Sequence, residues 1–318
     1  MTERAIEPVV EKAEALRDVL ASLGSVIVAY SGGVDSAYLA YAASRALGDR
    51  AVAVTADSPS YPEHHRRLAI DIAERFALQH EIIFTHEMDR QEYRANPANR
   101  CYFCKHELYT HLTRIAAARD AVVIDGNNAD DRGDYRPGRQ AAREFGVRSP
   151  LDEVNLGKDE IRELSRRAGL PTWDEPASAC LSSRIPYHSE VTLEKLRTIE
   201  QAEQAIRALG FRVYRVRHHD DVARIEIARE EMARALDPEI SAAMIRALKA
   251  LGYRYVPRSA GLSHGQPQRG PVAPSGFLAR HNNELPNGLS TARSHTLSRP
   301  RSAVSAPLIG AAGTVISC

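Results

Sequence analysis

Long apolar segments are missing from this sequence, and cysteine is scarce. No run of 18 apolar residues occurs, and Met1 is followed by Thr, Glu and Arg rather than by a basic region that leads into an apolar stretch. We therefore expect neither a membrane span nor a secretory signal. Four cysteines among 318 residues are too few for a disulfide scaffold, and in a reducing compartment a Cys-x-x-Cys pair is more typical of a metal, cluster or redox site. The composition predicts a cytoplasmic protein whose cysteines carry chemistry.

An excess of basic charge is also missing from most of the chain. The last 62 residues hold six arginines and one acidic residue, so the 42 basic and 41 acidic side chains of the whole chain leave 36 and 40 for residues 1–256, a net charge of −4. A mildly acidic body argues against a nucleic-acid partner. The segment 257–318 has no lysine and no hydrophobic periodicity, and we expect it to be a disordered tail.

Helical and strand patterns alternate over the first half of the chain. Apolar residues recur at helical spacing from Ile6 to Leu23, and short apolar runs typical of buried strands follow at residues 25–30, 51–56, 81–85 and 121–125. Helical segments separate these runs, which predicts an α/β fold with a parallel sheet covered by helices on both faces. We place this domain at residues 1–188 and a small α+β domain at residues 189–256. Ligands of such sheets bind at the carboxyl ends of the strands, near the topological switch point.

The segment SGGVDS, Ser31 to Ser36, lies between the first apolar strand and the next helix. Gly32 and Gly33 permit a tight turn whose N–H groups can approach an anion at the helix N-terminus, and the serine hydroxyls can reach phosphate oxygens. Asp35 would be repelled by bare phosphate, so its expected role is to hold a bridging Mg²⁺. The segment lacks the Gly-Lys-Ser/Thr of a Walker loop. The alternative is an ordinary glycine-rich turn.

The segment resembles the signature of the PP-loop ATP pyrophosphatases, Ser-Gly-Gly-x-Asp-Ser. This resemblance implies cleavage of ATP between the α and β phosphates, with transfer of AMP to an oxygen of the substrate. It also implies that the loop at Thr55, Ala56 and Asp57 holds adenine or ribose.

The order of SGGVDS, CYFCK, DYRPG and CLSSRIPY resembles that of the LarE family over residues 8–256. These ATP-dependent sulfur transferases build the nickel-pincer nucleotide cofactor of lactate racemase. The resemblance implies that a carboxylate of pyridinium-3,5-biscarboxylic acid mononucleotide is adenylated and then converted to a thiocarboxylate. It makes Cys180 the sulfur donor, with Arg184 to favour its thiolate or to hold an anionic oxygen.

Some members of the family sacrifice this cysteine and become dehydroalanine, whereas others hold a [4Fe-4S] cluster on three cysteines. Cys101 and Cys104 in CYFC, with Cys180, match the second kind, and three thiolates leave one iron open for an extra sulfide. We favour the cluster. A zinc pair, with His106 as a further ligand, and a dithiol pair remain alternatives for Cys101 and Cys104.

The match implies further site residues. Those expected at the nucleotide, its phosphates or its metal lie in loops after strands and before a helix: Gly126, Asn127, Asp130, Asp131, Arg136 and Lys158. Arg215 and Arg217 alternate along a strand and so share one face, as a pair that binds the phosphate of a mononucleotide would. Glu200 and Glu226 match carboxylates near a metal at a subunit interface. The family forms symmetric oligomers, so we expect a homo-oligomer; the segment after Val256 departs from the family pattern.

Three other functions compete with this one. A tRNA-thiolating PP-loop enzyme would need a basic groove. A nucleotide-binding module with a structural zinc would leave Asp35 and Cys180 without a task. An ammonia-using synthetase of the same fold would be expected to have an amide-hydrolysing partner domain or an ammonia channel.

Overall fold

The computed structural model describes residues 3–133, 137–177 and 179–262. The first part of the chain forms a four-stranded parallel sheet in the order β3-β2-β1-β4. The strands are β1 (Val26–Ala29), β2 (Ala51–Asp57), β3 (Gln79–Phe84) and β4 (Val122–Ile124). The helices of this part are α1 (Glu3–Leu23), α2 (Val34–Leu47), α3 (Glu63–Arg75), α4 (Gln91–Arg94), α5 (Arg100–Ala118), α6 (Pro137–Glu144), α7 (Pro150–Glu153) and α8 (Lys158–Arg167).

Both faces of this sheet are covered, which explains why its central strands are apolar at every position. All four residues of β1 are buried. Val26 and Val28 pack with α1 and α2 on one face, whereas Ile27 and Ala29 pack with α5 and α6 on the other. Strand β3 lies at the edge, and its Phe84 is 67% exposed. The predicted parallel sheet with helices on both faces is confirmed.

The strand order positions the site. The chain runs from β1 outward through β2 to β3 and then returns to place β4 on the other side of β1. The switch point therefore lies between β1 and β4, where the connections leave the sheet in opposite directions and open a crevice at the carboxyl ends of the strands. The loops after Ala29 and Ile124 meet there.

The second part of the chain has its own sheet and core. It contains α9 (Leu193–Ala208), β5 (Tyr214–His219), β6 (Val222–Ala228), α10 (Arg229–Ala235), α11 (Pro238–Ala250) and β7 (Arg258–Leu262). Strand β6 is antiparallel to β5 and parallel to β7. The helices pack on one face of the sheet around Phe211, Val216, Ile225 and Met244.

Regular structure continues beyond residue 256, where we placed the end of the second domain. Backbone pairing with β6 orders residues 258–262 as an edge strand, although their composition lacks an apolar pattern. The rest of the expected tail, 263–318, lies outside the described residues, as does the predicted site residue Arg136. No helix in the described ranges is long and apolar enough to cross a membrane.

Candidate active site

The loop between β1 and α2 is a tight turn fixed by its own serines. The Ser31 N–H donates to Ser36 Oγ at 3.1 Å, the two hydroxyls lie 3.1 Å apart, and Ser36 Oγ donates to the Gly33 carbonyl at 3.1 Å. Gly33 precedes α2 with extended backbone and no side-chain cap. The first N–H groups of α2 thus remain available for an anion.

Two glycines allow neighbouring elements to approach this loop. Gly32 has φ +65°, and a Cβ atom there would lie 2.9 Å from the Cβ of Ala69 in α3. A Cβ atom on Gly126, just after β4, would lie 3.0 Å from the backbone nitrogen of Ser36. A side chain at either glycine would block these contacts. Gly126, which was predicted near the nucleotide, therefore lies directly against the turn.

Asp35 and Lys158 meet beside the turn. Lys158 Nζ contacts Asp35 Oδ2 at 2.5 Å, and the Lys158 N–H donates to Asp130 Oδ2 at 2.7 Å, which fixes the start of α8. The other oxygen of Asp35, Oδ1, is buried and has no hydrogen-bond partner within the ranges that the structure describes. An acceptor of this kind suits a Mg²⁺ ligand, because an unpaired buried oxygen is otherwise costly.

Two of the predicted nucleotide contacts already have protein partners. Thr55 Oγ1 donates to the Tyr30 carbonyl at 3.0 Å and lies 2.9 Å from His80 Nε2. Asn127 Nδ2 donates to Asp125 Oδ2 at 2.6 Å. These bonds fix the side chains of Thr55 and Asn127 in the loops around the crevice.

Asp125 is the centre of a buried network that sequence reasoning missed. Besides Asn127, it accepts hydrogen bonds from the hydroxyl of Tyr109 at 2.8 Å and from that of Ser149 at 2.7 Å. These donors come from α5 and from the segment before α7, so the network fixes the end of β4 against both. A lone Asp after a strand gives no sequence signal for this role.

Cys180 lies in a loop held close to the phosphate turn. The Tyr61 hydroxyl donates to the Ser31 carbonyl at 2.9 Å, and the Leu181 N–H donates to the carbonyl of the neighbouring Ser60 at 2.8 Å. Two adjacent residues after β2 therefore connect the phosphate turn to the residue that follows Cys180.

Arg100 lies beside the sulfur of Cys180, and sequence reasoning missed it. Its Nη2 lies 3.9 Å from Cys180 Sγ, while Nη1 donates to the Ser182 carbonyl at 2.9 Å and to Asn96 Oδ1. Arg100 is buried at the start of α5, one residue before Cys101. A guanidinium in this position can donate a hydrogen bond to the sulfur.

Arg184, the predicted partner of the sulfur, contacts a carboxylate and the backbone of the cysteine loop. Its guanidinium forms a bidentate ion pair with Glu203 at 2.8 and 3.1 Å and donates to the Ala179 carbonyl and Ser183 Oγ, both at 2.9 Å. The side chain is 3% exposed; burial alone would lower its pKa, but Glu203 holds the pKa above the ordinary value. Arg184 thus anchors the backbone of the cysteine loop to α9.

Cys101 and Cys104 lie on the first turn of α5, beneath this loop. Cys104 packs in a small apolar cluster with Leu181 and Ile185, and burial, together with Glu87 and Cys180, raises the pKa of its thiol to about 12. His106, the alternative zinc ligand, instead contacts Arg90 Nη1 at 3.4 Å and packs edge-on against Phe145.

The two arginines of β5 have different surroundings. Arg217 pairs with Glu226 at 3.0 Å and donates to the Ser183 carbonyl at 2.8 Å. Arg215 is buried, and burial together with Arg184 and Arg217 lowers its pKa to about 9. Glu226 also pairs with Arg224 at 2.8 Å.

Arg215 lines a cavity of about 260 Å³ between α3, α9 and β5. Its charged lining also includes Arg184, Arg207, Glu200 and Glu203. Glu200 accepts hydrogen bonds from the Glu63 N–H and from Gln204, both at 3.3 Å, and burial raises its pKa. The structure therefore gives the two predicted metal ligands different partners: Glu226 is neutralised by arginines, whereas Glu200 faces the cavity.

A parallel sheet with this serine-glycine turn at its switch point is the nucleotide site of the PP-loop class. The NAD synthase family matches residues 9–106. A pyridinium-3,5-bisthiocarboxylic acid mononucleotide synthase of Lactiplantibacillus plantarum is 34% identical over 247 residues, which cover 77% of this chain and 89% of that protein. The chain therefore belongs to the LarE family of ATP-using PP-loop enzymes.

Two more relatives show how far the similarity reaches. An uncharacterized protein of Synechocystis sp. is 44% identical over 246 residues, or 77% of this chain and 92% of that protein. A glutamine-hydrolyzing GMP synthase of Synechococcus sp. is 27% identical over 233 residues, but these cover only 42% of that longer protein.

Proposed function

We propose that this chain is an ATP-dependent sulfurtransferase that converts a carboxylate of pyridinium-3,5-biscarboxylic acid mononucleotide to a thiocarboxylate. The name of the Lactiplantibacillus relative supports the substrate class. The observation that carries the proposal is the link through Ser60 and Tyr61, which holds the phosphate turn and the Cys180 loop against the same short segment. An acyl adenylate formed at the turn would be close to the sulfur that attacks it.

The turn and its neighbours suit the activation step. A substrate carboxylate oxygen attacks the α-phosphorus of ATP, the bond from the α-phosphorus to the bridging oxygen breaks, and pyrophosphate leaves with that oxygen. The N–H groups of α2 and the hydroxyls of Ser31 and Ser36 would bind the leaving group. Asp35 would hold Mg²⁺ through its unpaired Oδ1, and Lys158 would leave Asp35 to neutralise the pyrophosphate.

Cys180 and Arg100 suit the sulfur step. The thiolate of Cys180 attacks the carbonyl carbon of the adenylate, a C–S bond forms, and AMP leaves with the electron pair of its bond to that carbon. Loss of the Cα proton of Cys180 and cleavage of its Cβ–Sγ bond, with the electron pair moving to sulfur, then give the thiocarboxylate and dehydroalanine. Arg100 would stabilise the thiolate from 3.9 Å.

We also propose the cluster that we favour, held by Cys104, Cys180 and the reduced form of Cys101. Cys101 and Cys104 are three residues apart at the start of one helix, and Cys180 lies close enough to Cys104 to influence its pKa. Iron would have to displace the protons of these thiols on binding. When bound to these three thiolates, a [4Fe-4S] cluster would supply an iron that can hold an extra sulfide. Cys180 would then survive turnover.

The cavity suits the phosphate of the mononucleotide. Arg215 is buried at its wall with a depressed pKa, so an anion there would offset the repulsion from Arg184 and Arg217. Arg207 lines the same cavity. Arg217, held by Glu226 and Ser183, would position the cysteine loop. We further propose a homo-oligomer, which light scattering can test.

The test separates the two steps. ATP–pyrophosphate exchange that depends on the mononucleotide should persist in Cys180→Ser, because adenylation does not need the thiol, whereas thiocarboxylate formation should be lost. Cys180→Ser with intact product formation would sink the proposal. Exchange that depends on ammonia or tRNA instead of the mononucleotide would assign the enzyme to another PP-loop activity.

Iron analysis tests the cluster. Anaerobically purified wild type should contain about four irons and four acid-labile sulfides per chain, and Cys101→Ala should lose them. Zinc or no metal in the wild type, together with the loss of one H₂S from the protein mass after turnover, would show that Cys180 is consumed instead.

A further inference from the structure

A second cluster of metal-binding side chains contains no cysteine. His64 and His65 lie in the first turn of α3, and Glu175 follows the turn Pro171–Asp174. One donor atom from each lies within 4.8 Å of the other two, and His64 Nε2 is 3.4 Å from Glu175 Oε1. Arg162 of α8 fixes the acidic residue by donating to the backbone carbonyls of Trp173 at 2.6 Å and Glu175 at 2.8 Å.

The buried imidazole of His65 is the part of this cluster that most needs a ligand. The side chain is only 9% exposed and lines the cavity of about 260 Å³. Within the described part of the chain, neither ring nitrogen forms a hydrogen bond; its ring neighbour is His64, with centroids 5.2 Å apart. Buried polar groups are normally hydrogen-bonded, so an imidazole left facing a cavity indicates a ligand there.

The charges around the cluster are compatible with a cation. In the ranges that the structure describes, Glu175 pairs only with His64, and Glu200, on the same cavity, forms no ion pair. Arg184 is neutralised by Glu203. Arg207 and Arg215 line the same cavity and oppose a cation, and both Arg207 and Arg184 act on His65.

We propose that His64, His65 and Glu175 bind a divalent transition-metal ion. Two imidazoles and one carboxylate favour Zn²⁺, Co²⁺ or Ni²⁺ over Mg²⁺ or Ca²⁺. Three protein ligands leave an open position, which here faces the cavity and the carboxylate of Glu200. The site shares its cavity with Arg215 and with Arg184 of the cysteine loop, but metal binding there does not depend on the proposed sulfur transfer.

The first test measures how far Zn²⁺ protects each histidine of the full chain from chemical modification. Diethyl pyrocarbonate modifies free imidazoles, and mass spectrometry locates the adducts. Zn²⁺ should protect His64, which is half-buried, and should leave the exposed His86 reactive. Protection of neither residue, or of both equally, would overturn the proposal, and Mg²⁺ at the same concentration should protect neither.

Equilibrium dialysis with Zn²⁺ gives the second readout. His64→Ala and Glu175→Gln should each lower the affinity for one zinc ion per chain. The loss should be at least the roughly 10–100-fold that removal of an outer-shell partner costs. The matched control is His86→Ala, which removes an exposed imidazole and should bind like wild type. Arg207→Met should tighten binding, because a repelling charge is gone. Unchanged zinc binding in folded His64→Ala and Glu175→Gln proteins would overturn the assignment, and zinc bound at the cysteines would be unaffected by these substitutions.

Discussion

The close packing at Gly32 in the phosphate turn predicts how much stability an alanine there would cost. An alanine there must adopt φ +65°, and its Cβ would lie 2.9 Å from Ala69 Cβ and 3.0 Å from Ala69 Cα. The left-handed conformation costs an L-residue about 1–2 kcal/mol. Overpacking adds about 1–3 kcal/mol, because the close atoms belong to the α3 backbone or to its short side chain and cannot rotate away. Gly32→Ala should thus lower the free energy of unfolding by roughly 2–5 kcal/mol.

Gly24 provides the matched control. It also has positive φ, +74°, but a Cβ atom there would meet nothing within 4 Å. Gly24→Ala should therefore lose only the conformational part, about 1–2 kcal/mol. Urea unfolding of both variants, compared at equal m-values, measures the difference. If Gly32→Ala is as stable as Gly24→Ala, the close packing of α3 against the turn is refuted.

Three more predictions address the turn and its supports. Gly126→Ala places a Cβ atom 3.0 Å from the Ser36 nitrogen. It should cost more free energy in MgATP binding, measured by calorimetry, than in unfolding, measured in urea; a larger loss in unfolding than in binding would contradict the contact. Lys158→Met should slow ATP–pyrophosphate exchange by about 10²–10³-fold, as loss of a preorganised donor does, and unchanged exchange would remove Lys158 from the step. Glu203→Ala leaves the buried Arg184 unpaired and should destabilise the fold by about 3–5 kcal/mol in urea unfolding; a loss below 1 kcal/mol would show that Arg184 finds other partners.

The phosphate turn could be predicted because its chemistry is contiguous. Ser31 to Ser36 come from one strand-turn-helix segment, and the strand pattern predicted that ligands bind at the carboxyl ends of the strands. The observed strand order puts the switch point at this segment. Lys158 was expected near pyrophosphate, and its contact with Asp35 places it beside the phosphate turn. The expectation depended on the family resemblance, since a lysine at the start of a helix carries no signal of its own.

Contacts between distant segments could not be predicted. Arg100 and Cys180 are 80 residues apart, and nothing in the sequence distinguishes Arg100 from the arginines on solvated faces. The same holds for His64 and Glu175, which are 111 residues apart. Arg184 was expected beside the sulfur of Cys180, and no pattern in the sequence indicated that its guanidinium pairs with the carboxylate of Glu203 on α9. Tertiary packing decides these orientations, and periodicity does not report it.

The most direct test of the account is the mass of the mononucleotide after turnover. Anaerobically purified protein is incubated with MgATP and pyridinium-3,5-biscarboxylic acid mononucleotide, with Cys180→Ser as the control. We predict that wild type replaces a carboxylate oxygen of the nucleotide by sulfur and releases AMP and pyrophosphate, whereas Cys180→Ser releases no sulfur-containing product. A nucleotide whose mass is unchanged, or one thiolated equally well by Cys180→Ser, would contradict sulfur delivery at this loop.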